Sequence, residues 1–513
     1  MKVNQLKMGA FLSYAQMALG LIIGILYTPL MIRALGQSEY GLYNTVSSTI
    51  SMLSLLSLGF GSGYIRYFAR YKKEDDKEAI YKLNGLFLLI FLVIGFVALG
   101  CGLFLSENLT LVFDEGLTGE EYRIARVLML LLTFNLSVSF PMSVFVSIIS
   151  AHERFVFLKT LGMLKTVVGP MVTLPLLLLG YKSIAMVAVT VGITLLTDLL
   201  YGYYVIRRLR IRFVFRGFPK GIFRELFTYT IFIAINILVD QLNYNVGKIL
   251  LGRFRGTGAV AVYSVGYTLY TYYMMFSTSV SGVFTPRVHH LIQANADPSI
   301  QRRAVTDLFT KVGRIQFLIL GLIASGVIFF GRPFIAIWAG AGYEDSYFVA
   351  VLLMLSASVP LMQNVGIEIQ RAENRHQFRS LAYVVMAVIN VVATVFLCQR
   401  YGAAGAALGT AVSLLLANGL VMNIYYHKRC NIDVLFFWRN ILRVAVGLLP
   451  PIAAGLLINR FFTVSGLASL VAACAVYATV YALSMWLLGM NRYEKDLLLR
   501  PLQKLFRKKG GAQ

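Results

Sequence analysis

The sequence predicts an all-α integral membrane protein with about fourteen transmembrane helices, and three observations carry that prediction. Charged residues make up only 14% of the 513 positions against 58% hydrophobic, with a mean hydropathy of +0.72. A soluble chain needs roughly 25% charged residues to cover its surface. Apolar runs long enough to cross a bilayer, which takes about 20 helical residues, recur throughout. The connections between them are short, so no separate soluble domain is expected.

In chain order, spans are expected at 8–32, 40–65, 83–105, 124–150, 160–180, 184–206, 226–250, 260–285, 315–338, 347–370, 380–399, 402–425, 443–459 and 465–488. The first lacks a small-residue cleavage site and reads as a retained span rather than a signal peptide. The net charge of +24 follows from retention of Lys and Arg on the cytoplasmic side of a many-spanning protein. That bias puts the N- and C-termini in the cytoplasm, with the protein multi-pass in the plasma membrane. The loop 106–122 then lies outside, carrying Glu107, Asp114, Glu115, Glu120 and Glu121 and no Lys or Arg. Cys101, Cys398, Cys430 and Cys474 are scattered without metal-ligand spacing, so no metal site is expected.

An internal repeat divides the chain. Ala151, Arg154 and Phe157 match Ala372, Arg375 and Phe378 at an offset of 221 residues, which also pairs Arg66 with Arg287, Thr173 with Thr394, Ala185 with Ala406 and Tyr204 with Tyr425. A repeat of six spans keeps its orientation, because six is even. The expected domains are a six-helix bundle over 1–206, a basic cytoplasmic linker over 207–225 and a second six-helix bundle over 226–427. Residues 428–513 add two extra helices and a basic tail. Seven of the nineteen linker residues are Lys or Arg. A basic run can bind nucleic acid, but the apolar segments on both sides point to a membrane surface instead. Leu209, Ile211, Phe213 and Phe215 alternate with its arginines, so the linker is expected to lie along the inner leaflet, broken near Gly217–Gly221. The tail 491–513 has the spacing of an amphipathic surface helix.

Enzyme motifs are mostly absent. The Gly247-Lys248 pair is followed by Ile and makes no phosphate-cradling loop, and there is no metalloprotease or serine-hydrolase signature. These absences favour moving a substrate over converting one, with no cofactor. Polar residues inside spans are costly in lipid and commonly face a cavity or a partner helix. In the seventh span Asn236, Asp240, Asn243 and Gly247 share one helical face, with Gln241, Asn245 and Lys248 beside it. They are candidates for lining a cavity, the alternative being interhelical hydrogen bonding. Lys165 and Asp198 lie at similar depth in spans five and six, as an ion pair or a coupling-ion site. Arg66 and Arg287 end spans two and eight, where guanidinium groups would suit a pyrophosphate or simply anchor the helix ends.

The segments Arg33-Ala-Leu-Gly36-Gln-Ser-Glu39-Tyr40-Gly41-Leu-Tyr43, Gly59-Phe-Gly61-Ser-Gly63-Tyr-Ile-Arg66, Gly366-Ile-Glu368-Ile-Gln-Arg371-Ala-Glu-Asn374-Arg375 and Tyr401-Gly402-Ala-Ala-Gly405 carry a resemblance. Together they resemble the bacterial oligosaccharide and polysaccharide flippases, the O-antigen and teichoic-acid-type exporters of the multidrug/oligosaccharidyl-lipid/polysaccharide superfamily. The resemblance implies two helical halves that alternately open a central cationic cavity to either side. It also implies a polyprenyl-phosphate- or pyrophosphate-linked oligosaccharide as cargo, whose lipid tail stays in the bilayer. The related lipid II flippases carry essential arginines in spans one, two and eight. Arg66 and Arg287 stand in the last two, whereas span one has Ser13, Tyr14 and Gln16 and no internal Arg, which weighs against lipid II as cargo. Arg66, Arg287, Lys165 and Lys248 are then the cationic candidates for the cargo. Asp198 and Asp240 are the candidates for a coupling proton or sodium ion. Membrane lipids and polysaccharide biosynthesis enzymes are the expected partners, and nucleic acid is not. A cation-coupled drug antiporter on the same scaffold and a polytopic glycan polymerase or ligase are the alternative readings.

Overall fold

The computed structural model describes residues 4–497 and 499, apart from 114–116, 219–220, 295–296, 374–375 and 465. Asp114, Glu115, Arg375 and the tail basics Arg500, Lys504, Arg507, Lys508 and Lys509 lie outside the described residues. Helices, and no strands, form the described part. First come α1 (Gln5–Leu35), α2 (Gln37–Met52), α3 (Phe60–Lys73), α4 (Lys77–Glu107), α5 (Gly119–Ala151), α6 (Phe155–Leu178) and α7 (Ser183–Tyr203). Then follow α8 (Ile222–Ala294), α9 (Pro298–Trp338), α10 (Ser346–Met362), α11 (Val365–Ala372), α12 (His376–Leu414), α13 (Asn423–Lys428), α14 (Val434–Ala445), α15 (Leu449–Phe461) and α16 (Leu467–Ser484).

Ten of the described helices are long and apolar enough to span a membrane, or up to twelve if each of two bent pairs counts as one span. Two long helices are themselves double. α8 is interrupted at Gly256 (φ 79°, ψ 177°) and α12 at Gly402 (φ 57°, ψ −133°), backbone conformations that L side chains avoid. Dividing both there turns the twelve into the fourteen expected. Local chemistry starts several helices: Asp76 accepts from Ala79 N, Asp433 from Phe436 N, and Asp297 precedes Pro298 at the first turn of α9. Phe11, Phe96, Leu178, Leu199 and Phe396 point away from the protein, where lipid replaces water as their surroundings.

Contacts divide the chain into two compact units, one made of 1–265 with 383–410 and the other of 266–382 with 411–513. In the first unit a core of Tyr64, Phe87, Phe145 and Ile148 takes in the basic linker, because Leu209, Ile211, Phe213 and Phe218 pack against it. Val214 N donates to Tyr81 O at 3.0 Å, and Asn84 Nδ2 donates to Arg212 O at 3.1 Å while accepting from Tyr64 OH at 2.7 Å. An added Cβ at Gly85 would overlap the Val214 carbonyl, so only glycine permits this approach. The expected alternation is present, but the apolar side faces protein instead of the leaflet. An extended segment has backbone groups to satisfy, and α4 offers partners that lipid tails cannot. Arg207, Arg208, Arg210, Arg212 and Arg216 remain exposed.

At the same end, His152 follows α5 with its ring 4.8 Å from that of Phe68 and its Nδ1 2.9 Å from Ile148 O. Burial, and the neighbouring Lys72 and Arg154 charges, push its pKa below the ordinary 6.5, against a smaller upward pull from the Ile148 carbonyl. Protonation therefore favours the unfolded chain. The stability from this packing is complete above about 6.5 and is lost as pH falls through the lower folded value. Thermal unfolding of detergent-solubilised protein should show that acid-side loss, and His152→Gln should flatten it.

In the second unit, Phe330, Leu470, Ala473 and Tyr477 form one core. Beside it runs a buried ion pair between α9 and the start of the tail. Arg314 Nε and Nη2 donate to Glu494 at 2.5 and 3.0 Å, with Nη1 to Asn440 O at 3.1 Å and Nη2 to Gly489 O at 3.0 Å. The two side chains are 7% and 2% exposed. Glu494 also accepts from Asn491 N, and Asn491 Oδ1 accepts from Glu494 N, which opens the short helix 492–497.

Candidate functional site

Within the first unit, α2 and α3 run antiparallel to the first part of α8: Gly63 faces Leu226 and Thr230, Gly59 faces Ile233, and Thr45 faces Gly252. At one end, Arg66 stacks its guanidinium over the Tyr229 ring, 4.4 Å from its centroid. Beside it, Tyr67 OH donates to Glu225 at 3.2 Å, and Arg70, one turn on, reaches the same carboxylate at 3.8 Å. Arg66 stays exposed, so the tyrosine orients one face of the guanidinium and leaves its edge of N–H donors open. Arg287 is likewise exposed, on the second part of α8 in the other unit. Near it in sequence, His289 lies 4.0 Å from Glu368, which is paired with Arg371 at 2.7 Å.

Mid-way along the pairing, the polar face of the seventh span divides between two neighbours. Gln241 Nε2 donates to Ser54 Oγ at 3.1 Å and Gln241 Oε1 accepts from Asn245. Asn243 Oδ1 instead accepts from Asn390 Nδ2 of α12 at 2.8 Å, and Asn390 Oδ1 accepts from Thr394 at 3.1 Å and Thr410 at 3.4 Å. Gln241 and Asn243 thus each bond across to a neighbouring helix. Asn236 and Lys248 are half-buried, and Asp240 is exposed. Lys165 and Asp198 are both half-buried and feel each other's charge, while Asp198 accepts from Ser139 Oγ at 3.3 Å. They are not among the ion pairs within 4.0 Å of the described residues, so they share a neighbourhood and not a direct bridge.

At the opposite end, buried Glu39 accepts from Ser183 N at 2.8 Å and Ser183 Oγ at 2.6 Å, and takes Lys182 Nζ at 3.4 Å. Its carboxylate thereby serves the first turn of α7, where the helix dipole favours negative charge. Glu121 closes a capping box with Thr118 on α5 and accepts from Ser38 Oγ. Those hydroxyl and backbone donors, Ser38 first, hold its carboxyl below the ordinary carboxylate range.

Residues 6–291, more than half of the chain, match the family model described as polysaccharide biosynthesis protein. The chain belongs to the polysaccharide biosynthesis protein family. A putative O-antigen transporter of Shigella flexneri is 18% identical over 426 residues, covering 81% of this chain and 96% of that one. The probable low-salt glycan biosynthesis flippase Agl15 of Haloferax volcanii is 23% identical over 206 residues, 40% of this chain and 42% of its own. Among solved structures, the lipid II flippase MurJ in its inward closed conformation has a TM-score of 0.69 at 15% identity, covering 96% of this chain and 99% of that one. An inward-facing multidrug resistance MATE family transporter of the MOP superfamily has a TM-score of 0.57 at 13% identity, covering 81% and 98%. At such identities these structures speak to the fold alone.

For this member of the polysaccharide biosynthesis family, the expected family and helical scaffold hold. Several contacts of the candidate residues had no sequence signal. Tyr229 and Glu225 meet α3 only through helix register, and Asn390 and Thr410 join Asn243 from well over a hundred residues away. Glu39 did carry a signal, since it sits inside the most specific local segment, but its partner Ser183 did not.

Proposed function

We propose that this polysaccharide biosynthesis family protein is a flippase that moves a polyprenyl-phosphate- or pyrophosphate-linked oligosaccharide from the inner to the outer leaflet by alternating access. The match to the Shigella O-antigen transporter along 96% of that relative's length carries the reading. The chemistry agrees with it. A sugar–phosphate head cannot cross hydrocarbon unaided, so it needs a polar path with cations for its phosphate, while the polyprenyl chain stays in lipid. Arg66, with its open donor edge, and Arg287 are each proposed to take up phosphate charge, and Lys165 and Lys248 are further cations within spans. Asp198 and Asp240 are the proposed coupling-ion positions for a proton or sodium ion, since no phosphate-cradling loop supplies ATP hydrolysis.

In this reading 1–206 and 226–427 are the repeat-related halves, 207–225 joins them at the cytoplasmic face, and 428–513 is an appendage. Both termini are cytoplasmic, in a bacterial plasma membrane, where the enzymes that build the lipid-linked sugar supply the cargo. The protein makes and breaks no bonds in it. Depletion of the protein in cells is expected to leave lipid-linked oligosaccharide stranded in the cytoplasmic leaflet and to reduce surface glycan. An unchanged surface glycan together with a drug-resistance profile that tracks expression would replace this reading with an antiporter.

A further inference from the structure

The linker between α7 and α8 carries five arginines in ten residues, Arg207, Arg208, Arg210, Arg212 and Arg216, and all five are exposed. Among the described residues, none of their side chains takes part in an ion pair or a hydrogen bond. Acids on the neighbouring helices are engaged elsewhere, Glu225 with Tyr67 and Arg70, and Glu78 with Lys82 at 2.6 Å. The backbone that carries the arginines is nevertheless fixed. Leu209 N donates to Tyr204 O at 3.0 Å and Ile211 N to Val205 O at 3.3 Å, ahead of the bonds to Tyr81 and Asn84. Arg210 has φ 51°, a left-handed conformation that Gly or Asn adopts more easily. An arginine kept there costs backbone strain, which tends to gather at functional positions. Ile206 and Phe215, each immediately before an arginine, are 54% and 48% exposed.

We propose that the exposed edge of this linker is a binding surface for anionic phospholipid headgroups. The helix Ser183–Arg208 is long and apolar enough to cross a membrane, and the bent helix that follows the linker is a second candidate span. The arginines therefore lie where a span leaves the bilayer. A guanidinium meets a phosphodiester through two parallel donors, and each unpaired arginine beside an anionic leaflet gains about fivefold in affinity. Ile206 and Phe215 decide between lipid and a water-soluble polyanion. The headgroup layer offers phosphate to the arginines and acyl chain to these two side chains, whereas a polyanion in water leaves them wet. Leu209, Ile211 and Phe213 are already packed against the core of the first unit. The arginines thus stand on a rigid support, and little order is lost when lipid binds. The inference needs the two spans and does not depend on the flippase reading.

The test uses the full-length protein in nanodiscs of phosphatidylcholine, with and without phosphatidylglycerol, and native mass spectrometry to count phosphatidylglycerol retained in detergent. The native chain is expected to retain this lipid and to unfold at a higher temperature when it is present. The triple variant Arg208→Gln, Arg210→Gln, Arg212→Gln should retain it about tenfold more weakly or worse, and its unfolding should no longer respond to phosphatidylglycerol. In phosphatidylcholine alone that variant should unfold as the native chain does, because the three side chains are exposed. Lysine at the same three positions keeps the charge without the fork and should give intermediate retention; this variant also carries the test if the Gln variant does not fold. Arg302→Gln with Arg303→Gln, at exposed positions of the other unit, should leave retention unchanged. Unchanged retention by the linker variants would overturn the proposal. An equal loss in the Arg302, Arg303 variant would also overturn it, by showing that diffuse charge is what counts. Inorganic phosphate or polyglutamate that stabilised the native chain in phosphatidylcholine as much as phosphatidylglycerol does would replace the lipid with a free anion or an acidic protein.

Discussion

Replacing Arg66 and Arg287 together by Ala is expected to abolish most export of lipid-linked sugar while leaving the amount of protein in the membrane unchanged. A hydrogen bond to a charged group contributes about 1.5–3 kcal/mol, so losing two such anchors weakens cargo binding on the order of a hundredfold or more at 1.4 kcal/mol per tenfold. Both side chains are exposed, so neither truncation opens a cavity in a core. Lysine at both positions keeps the charge but loses the planar fork that binds phosphate through two donors, and intermediate export is expected. Tyr229→Leu should act more mildly, since it removes the ring 4.4 Å beneath the Arg66 guanidinium and leaves its donors in place. Surface glycan measured against protein level reads all three variants, and undiminished export by the double Ala variant would end the phosphate role of these arginines.

The second large effect is on stability. Glu494→Ala or Arg314→Ala leaves an uncompensated charge in a site where the side chains are 2% and 7% exposed, and breaking a buried pair costs about 3–5 kcal/mol. Thermal unfolding of purified protein should shift down for either single variant. The double Arg314→Met, Glu494→Leu variant should unfold later than either, because no orphan charge remains. The pair fastens the helix after α16 to α9, at a cost in desolvation that a merely peripheral appendage would not need. Equal destabilisation by the double and single variants would show that the packing around the guanidinium, and not its charge, is what counts.

The spans were legible because lipid replaces water over their whole length, so hydropathy alone reports them. The interruptions at Gly256 and Gly402 were readable only as gaps between spans. Why the chain turns there is a matter of positive φ, which composition does not display. The linker shows a different limit. Its alternation of Arg with Leu209, Ile211 and Phe213 fixes two faces but cannot say whether protein or lipid covers the apolar one, since both exclude water. Backbone hydrogen bonding to α4 decided it. The polar strip on the seventh span was also visible. Its division between Ser54 on one side and Asn390 on the other was not, because Gln241 and Asn243 point in different directions only once neighbouring helices are in place. Arg314 and Glu494 are 180 residues apart, and nothing local to either foretells the other.

The central claim, that the protein carries lipid-linked sugar across the bilayer, is tested most directly by reconstitution. Purified protein is placed in proteoliposomes holding a polyprenyl-pyrophosphate-linked oligosaccharide, and a sugar-binding or sugar-cleaving protein added outside reports how much cargo is accessible there. Flippase activity predicts that accessibility rises well above the fraction initially outside, faster with the native protein than with the Arg66→Ala, Arg287→Ala variant. An accessible fraction that stays at the protein-free level, with correctly folded protein and an imposed proton or sodium gradient, would contradict it.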